Sequence, residues 1–147
     1  PRQSFRAVIP TVLGQLLAGA DEVRLGNVAP RRDFTYVSDT VEGFVRASEV
    51  GLRPGETVQL GTGTTVSVGE VVERCHAITG SAARIVVDDE RVRRDGSEVE
   101  VLLSDPSVAR ERLGWAPRVD LDEGLRRTAA WLAERPPSAA DAARYVR

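Results

Sequence analysis

The chain has 147 residues, a length suited to a single domain with one continuous core. Its 20 basic and 22 acidic residues leave a formal charge of −2, which argues against a nucleic-acid partner, since such proteins usually carry a basic excess. No apolar run approaches the roughly 18 residues of a membrane span, no secretory signal opens the chain, and a lone cysteine forms no internal disulfide, so a cytoplasmic protein with no membrane or metal partner is expected.

In chain order, residues 4–19 read as a helix, because Ile9, Val12, Leu13, Leu16 and Leu17 share one face and Gly19 ends the pattern. Pro10 lies within the first two turns, so the regular helix is expected to start only near it. Val23-Arg24-Leu25-Gly26 reads as a short strand left through Gly26-Asn27. After Arg31-Arg32-Asp33, Phe34 and Tyr36 alternate with Thr35 and Val37, the aromatic and β-branched pattern of a strand. Asp39 and Glu42 have capping-box spacing, opening a helix to about residue 50 that should bury Val41, Phe44, Val45 and Ala47. Gly51 and Pro54-Gly55 break it. Thr57-Val58-Gln59-Leu60 then reads as a strand entering Gly61-Thr62-Gly63.

Ser67-Val68-Gly69-Glu70 is a full capping box, and its helix should bury Val71, Val72, Cys75 and Ile78 before Gly80 closes it. Cys75 and His76 are helical neighbours whose side chains diverge by about 100°, so they form no nucleophile–base pair. Cys75 reads as core and His76 as a surface residue. Arg84-Ile85-Val86-Val87 reads as a strand, and residues 88–100 as a charged, aperiodic loop. Asp105-Pro106 should start a short helix that packs Val108, Ala109 and Leu113 and stops at Gly114, with Trp115 as a core anchor. A last capping box, Asp120-Leu121-Asp122-Glu123, opens a helix burying Leu121, Leu125, Ala129 and Leu132, until Pro136-Pro137. The set is α/β, with residues 1–135 as one region and 136–147 as a tail.

Every basic residue is an arginine, which excludes Schiff-base chemistry and any lysine-dependent dyad. Arg31 and Arg32 stand at the mouth of a strand-to-helix turn, and a guanidinium fork suits a phosphate because it donates two parallel hydrogen bonds. On the residues alone the simpler reading is a pair of solvated loop charges, with Arg32 paired to Asp33.

Arg-Asp-Phe-x-Tyr-Val-x-Asp-Thr-Val-x-Gly-Phe, from Arg32 to Phe44, resembles the signature of the NAD-dependent sugar epimerase/dehydratase family, extended short-chain dehydrogenase/reductases that act on nucleotide-sugars. Pro1-Arg2-Gln3-Ser4, Ser97-Glu98-Val99-Glu100 and Leu113-Gly114-Trp115-Ala116-Pro117 match it in order. Within the family the chain is most similar to UDP-N-acetylglucosamine 4,6-dehydratase-like members, from residue 1 to about residue 134.

The resemblance implies the C-terminal, substrate-binding part of an extended Rossmann-type enzyme, beginning after the N-terminal dinucleotide-binding half. The family's Tyr-x-x-x-Lys pair has no counterpart, since Tyr36 is followed four positions on by Thr40. Gly61-Thr62-Gly63 has no third glycine and lies far from a first strand, so it is no dinucleotide fingerprint. NAD is therefore implied for the complete enzyme and not for this chain alone, and no catalytic residue is assigned. The implied ligand is a UDP-sugar. Arg32 and Arg93 would grip its diphosphate, Gln59 would touch it where the family has Asn, and Glu98 would receive a ribose hydroxyl. Leu25 would wall the base, or else belong to the core. In the complete enzyme NAD would take a hydride from sugar C4; a 4,6-dehydratase then eliminates water across C5 and C6, and an epimerase returns the hydride to the other face. The alternatives are a non-catalytic nucleotide-sugar-binding module and a structural remnant. A strand at 57–60 without its sheet partners would expose an edge, so self-association or pairing with a missing N-terminal half is expected.

Overall fold

The computed structural model describes residues 7–88 and 98–135. Three helices with apolar stripes form the larger core: α1 (Val8–Leu17), α3 (Val68–Thr79) and α5 (Leu121–Glu134). They close over the parallel pair β1 (Glu22–Leu25) and β4 (Arg84–Val87), registered from Glu22 opposite Arg84 to Leu25 opposite Val87. Val12, Leu13, Leu16, Val23, Leu25, Val71, Val72, Cys75, Leu125, Ala129 and Leu132 are buried together. Each fully buried aliphatic side chain here is worth roughly 1.5–3 kcal/mol, which outweighs any local propensity. Burial also pushes the Cys75 thiol up to about 12, so it stays neutral filler.

A second cluster joins α2 (Val37–Glu49) to α4 (Ser107–Leu113). Ala109, Leu113 and Trp115 are buried in it, and Ala47, Val50, Leu52, Val58 and Leu60 pack around them. A small sheet runs in the order β3 (Val66–Ser67), β2 (Arg31–Arg32), β5 (Val101–Leu102), with Val66 packed against the larger core. Strand β2 runs antiparallel to β3 and parallel to β5, with Arg32 opposite both Val66 and Leu102.

The helix ends follow local chemistry. Ser67 and Glu70 form the reciprocal capping box, and Asp120 accepts the Glu123 N–H at 2.8 Å. Gly80 and Gly114 end their helices in the left-handed turn, at φ 67 and 59. Helix α1 starts at Val8, close to Pro10, and residues 4–6 of the expected helix lie outside the described residues. Leu17 and Val108, expected inside, are exposed. His76, expected at the surface, is half-buried, with Nε2 shielded and without a hydrogen-bond partner.

Strands β1 and β4 fall where the sequence reading expects them, and the other strands depart from it. Residues 34–37 form no strand; β2 lies upstream at Arg31–Arg32, and Val37 already begins α2. The aromatic alternation serves packing instead: Phe34 lies against the larger core, and Tyr36 lies against Gly124 under the Arg127 guanidinium, 5.7 Å from its ring centroid. Residues 57–60 also form no strand. Val58 and Leu60 are drawn into the second cluster, and no described strand pairs with the segment.

Helix α2 inverts the expected burial. Asp39 and Gly43 face inward, whereas Val37, Val41, Phe44 and Val45 are exposed, Phe44 at 69%. Asp39 is not the cap, since Tyr36 holds that position without a side-chain bond. Its carboxylate instead accepts the backbone N–H groups of Arg118 and Val119, both at 2.9 Å, and its carbonyl accepts the Trp115 indole N–H at 2.8 Å. Glu42 pairs with Arg46 and Arg118. The Asp39 carboxylate is buried and needs donors, and here that demand outranks the capping pattern. No described helix is long and apolar enough to cross a membrane.

Asp39→Ala should therefore cost about 2 kcal/mol in urea unfolding, because two backbone donors lose their acceptor. Asp120→Ala, which removes a helix cap alone, should cost about 1 kcal/mol. Equal costs would mean that Asp39 acts merely as a helix-end residue.

Candidate functional site

Strand β2 is only two residues long, so its backbone is fixed by bonds on both sides. Arg31 N–H donates to the Glu100 carbonyl at 2.7 Å and Asp33 N–H to that of Leu102 at 3.0 Å. Across the other edge, Val68 N–H donates to the Pro30 carbonyl and Gly69 N–H to that of Val28. Successive residues of extended backbone project to opposite faces, so Arg31 and Asp33 share one face and Arg32 lies on the other.

The two arginines are thereby given different work. Arg31 spends its whole fork inside the fold: Nε donates to Thr65 Oγ1, Nη2 to the Thr65 carbonyl, and Nη1 to Glu70 at 3.0 Å. Glu70 is held below the usual carboxylate range, first by the Ser67 N–H and then by Arg31. Among the described residues, Arg32 donates only through Nη1, to the carbonyls of Arg31 and Glu100. No described carboxylate pairs with it. Asp33, its expected neutralising partner, turns instead to the Thr62–Gly63 turn, where it accepts both backbone N–H groups and the Thr62 hydroxyl.

Three of the expected site residues meet one extended segment, residues 98–105. Glu98 lies on it and accepts from Asn27 Nδ2 at 3.2 Å. Arg32 reaches its Glu100 carbonyl. Gln59 Oε1 accepts the Asp105 N–H at 2.9 Å, leaving the amide nitrogen of Gln59 without a described acceptor. Leu25 is not brought to this group: it is 6% exposed and belongs to the larger core. Arg93 lies outside the described residues, as do Arg91 and Arg94. The sequence reading missed Asp33 as an anchor. Its signal was an acid just past a strand and a Gly-Thr-Gly turn rich in backbone donors.

That turn does not fit a dinucleotide. Its N–H groups are occupied by Asp33, and it leads into β3, not into a helix whose N-terminus could take a pyrophosphate.

Residues 1–128 match the family described as GDP-mannose 4,6 dehydratase. The chain belongs to this family, within the NAD-dependent sugar epimerases and dehydratases. A UDP-N-acetyl-alpha-D-glucosaminuronate decarboxylase of Bacillus cytotoxicus is 33% identical over 133 residues, 88% of this chain and 41% of the relative. The UDP-glucose 4-epimerase of Thermotoga maritima, solved with UDP-glucose, is 31% identical with a TM-score of 0.77, over 87% of this chain and 40% of that one. TunA, an NAD-dependent NDP-hexosamine 5,6-dehydratase of tunicamycin biosynthesis, is 27% identical with a TM-score of 0.79, over 92% of this chain and 42% of that one. The chain therefore spans about two fifths of the length of these relatives. They comprise a decarboxylase, an epimerase and a dehydratase, so the segment they share with this chain does not by itself set the reaction.

The unequal work of the tandem arginines can be read by denaturation. Arg31→Ala should cost about 1 kcal/mol after discounting for a side chain 42% exposed, lowering Tm by about 3 °C. Arg32→Ala should stay within about 0.5 kcal/mol. Because the Glu70 carboxyl is depressed, the Arg31–Glu70 tie is fully present above the ordinary carboxylate range and is lost as pH falls through the lowered value. The Arg31→Ala deficit should accordingly shrink in acid. Equal Tm losses for both variants at pH 7 would contradict the division of roles.

Proposed function

We propose that this chain is the nucleotide-sugar-binding part of an NAD-dependent sugar-nucleotide epimerase or dehydratase. Its ligand is a UDP-sugar, and Arg32 and Arg93 hold the diphosphate. The observation that carries this reading is the Arg32 guanidinium, set on a pinned strand with no described carboxylate to neutralise it. A fixed, uncompensated fork suits a phosphate, because it offers two directed donors as well as charge. Gln59 and Glu98 lie along residues 98–105, the first with an amide nitrogen and the second with a carboxylate oxygen that no described residue engages. The UDP-glucose in the Thermotoga relative supports the ligand class. The chain supplies binding and orientation; hydride transfer and proton abstraction fall to a dinucleotide-binding body that brings NAD, and the chain alone turns over no nucleotide-sugar.

That body is proposed to cover the outer face of α2. Val37, Val41, Phe44 and Val45 recur at helical spacing there, too apolar for a permanently solvated face. Without its partner the face should drive self-association.

Titration calorimetry with a UDP-sugar tests the first part. Arg32→Ala and Arg93→Ala should each weaken binding about tenfold or more, since a charge-assisted contact contributes about 1.5–3 kcal/mol and 1.4 kcal/mol is one decade. Arg32→Lys should recover only part, keeping charge and losing the fork. Arg91→Ala and Arg94→Ala should change little; equal losses at all four positions would indicate a diffuse basic surface and defeat the clamp. Formation of a 4-keto sugar by the purified chain would defeat the assignment of chemistry elsewhere.

Light scattering over a concentration series tests the second part. The wild-type chain should exceed its monomer mass as concentration rises, and Phe44→Glu should return it towards the monomer. A wild-type chain that is monomeric throughout would remove the case for this docking face.

A further inference from the structure

The Gly61-Thr62-Gly63 turn is built as an anion cradle, and its occupant is part of the same chain. Gly63 adopts φ 76, so the successive N–H groups of Thr62 and Gly63 converge, the backbone arrangement that makes a concave site for negative charge. Asp33 fills it. Thr62 N–H donates to both carboxylate oxygens at 3.0 Å, Gly63 N–H donates to Oδ2 at 3.0 Å, and the Thr62 hydroxyl donates to Oδ1 at 2.6 Å. Sequence separations of 29 and 30 residues make this a tertiary tie, not a local turn. The approach is tight: a Cβ at Gly61 would overlap Ser104 Cβ and Asp33 Oδ2. Asp33, the turn and the segment 98–105 are therefore locked as one unit.

The consequence reaches the neighbouring residue. An acid adjacent in sequence to an arginine is its nearest available counter-charge, and a pairing of Asp33 with Arg32 would fill the fork that a phosphate needs. Here every described bond to the Asp33 carboxylate comes from a neutral donor on the opposite face of the strand from Arg32. The same lock holds the end of β2 against Leu102, and it holds the turn that follows Gln59.

We propose that Asp33 is the positioning residue of the diphosphate site: its capture by the Thr62–Gly63 cradle keeps this acid off Arg32, holds Arg32 aimed, and sets Gln59 at the same end. This rests on the reading of Arg32 as a diphosphate ligand and adds the group that governs its availability. Asp33 touches no ligand. Its loss leaves the charge of Arg32 intact and removes the geometry that makes the charge directional.

The test uses the 147-residue chain as wild type, Asp33→Ala, Asp33→Asn, Thr62→Val, Arg32→Ala and the Asp33→Ala/Arg32→Ala double variant, titrated with UDP. The Nε–Hε resonance of Arg32 is followed in parallel by ¹H–¹⁵N NMR. Asp33→Ala should weaken UDP binding about tenfold, and the double variant should bind no more weakly than Arg32→Ala alone, because the first change acts through the second residue. Asp33→Asn keeps one acceptor oxygen and should recover part of the loss. Thr62→Val removes one donor and should fall between wild type and Asp33→Ala. These two also serve if Asp33→Ala does not fold. Losses that multiply in the double variant would show Asp33 to be merely structural, and the proposal would fail. If the wild-type chain binds no UDP, the ligand reading fails by that result alone, and the positioning claim is judged on the NMR signal. A shift of the Arg32 resonance in Asp33→Asn and Thr62→Val supports it; an unmoved resonance overturns it.

Discussion

The described fold turns on a strand of two residues. A ladder as short as β2 carries too few backbone bonds to hold itself, and each of the three residues from Arg31 to Asp33 adds polar contacts of its own. Arg31 ties it to Thr65 and to the capping box of α3, Asp33 ties it to the Thr62–Gly63 turn, and the Arg32 fork folds back onto the carbonyls of Arg31 and Glu100. Side-chain bonds here do what length does in an ordinary strand. They also explain how an extended segment such as 98–105 finds its place although most of its own side chains are exposed.

Charge is distributed by this geometry more than by composition. The chain is nearly neutral, yet its cations are not equivalent. Arg46 is anchored by Glu42 and the carbonyls of Leu113 and Gly114, Arg112 by Glu56, and Arg74 by Asp122. Most such pairs are exposed and contribute little to stability, but each consumes a guanidinium. Arg32 has no described carboxylate partner, and the acid beside it, Asp33, is bonded to the Thr62–Gly63 turn.

How much of this was legible in the sequence depended on range. Helices were legible because their signals are local: Ser67 with Glu70, Asp120, Gly80 and Gly114 act within four residues, and the stripes of α1, α3 and α5 repeat within two turns. Two strands were legible as well, since Val23 to Leu25 lies in β1 and Arg84–Val87 is β4, whereas β2, β3 and β5 were not, because pairing is decided by partners tens of residues away. Phe34 and Tyr36 alternate as strand residues should, but no partner comes alongside and packing claims them. In α2 the periodicity correctly announced an amphipathic helix and misled about which face is buried. Asp39 and Gly43 go inward because Trp115, Arg118, Val119 and Leu60 are there to receive them. An apolar stripe says that a face needs covering and is silent about what covers it.

The site shows the same limit at finer scale. Tandem arginines announce a guanidinium at the mouth of a turn, and nothing in their order says which of them is free. Extended backbone decides it, since neighbours face opposite ways and only one of the two can reach Thr65 and Glu70. The acid that follows then lies on the same face as the structural arginine and opposite the free one. Arg-Arg-Asp on a strand is thus not a cluster of charges that cancel. It is an alternation in which the first and third residues bond to the fold on one face, while the middle one, on the other face, meets no described carboxylate.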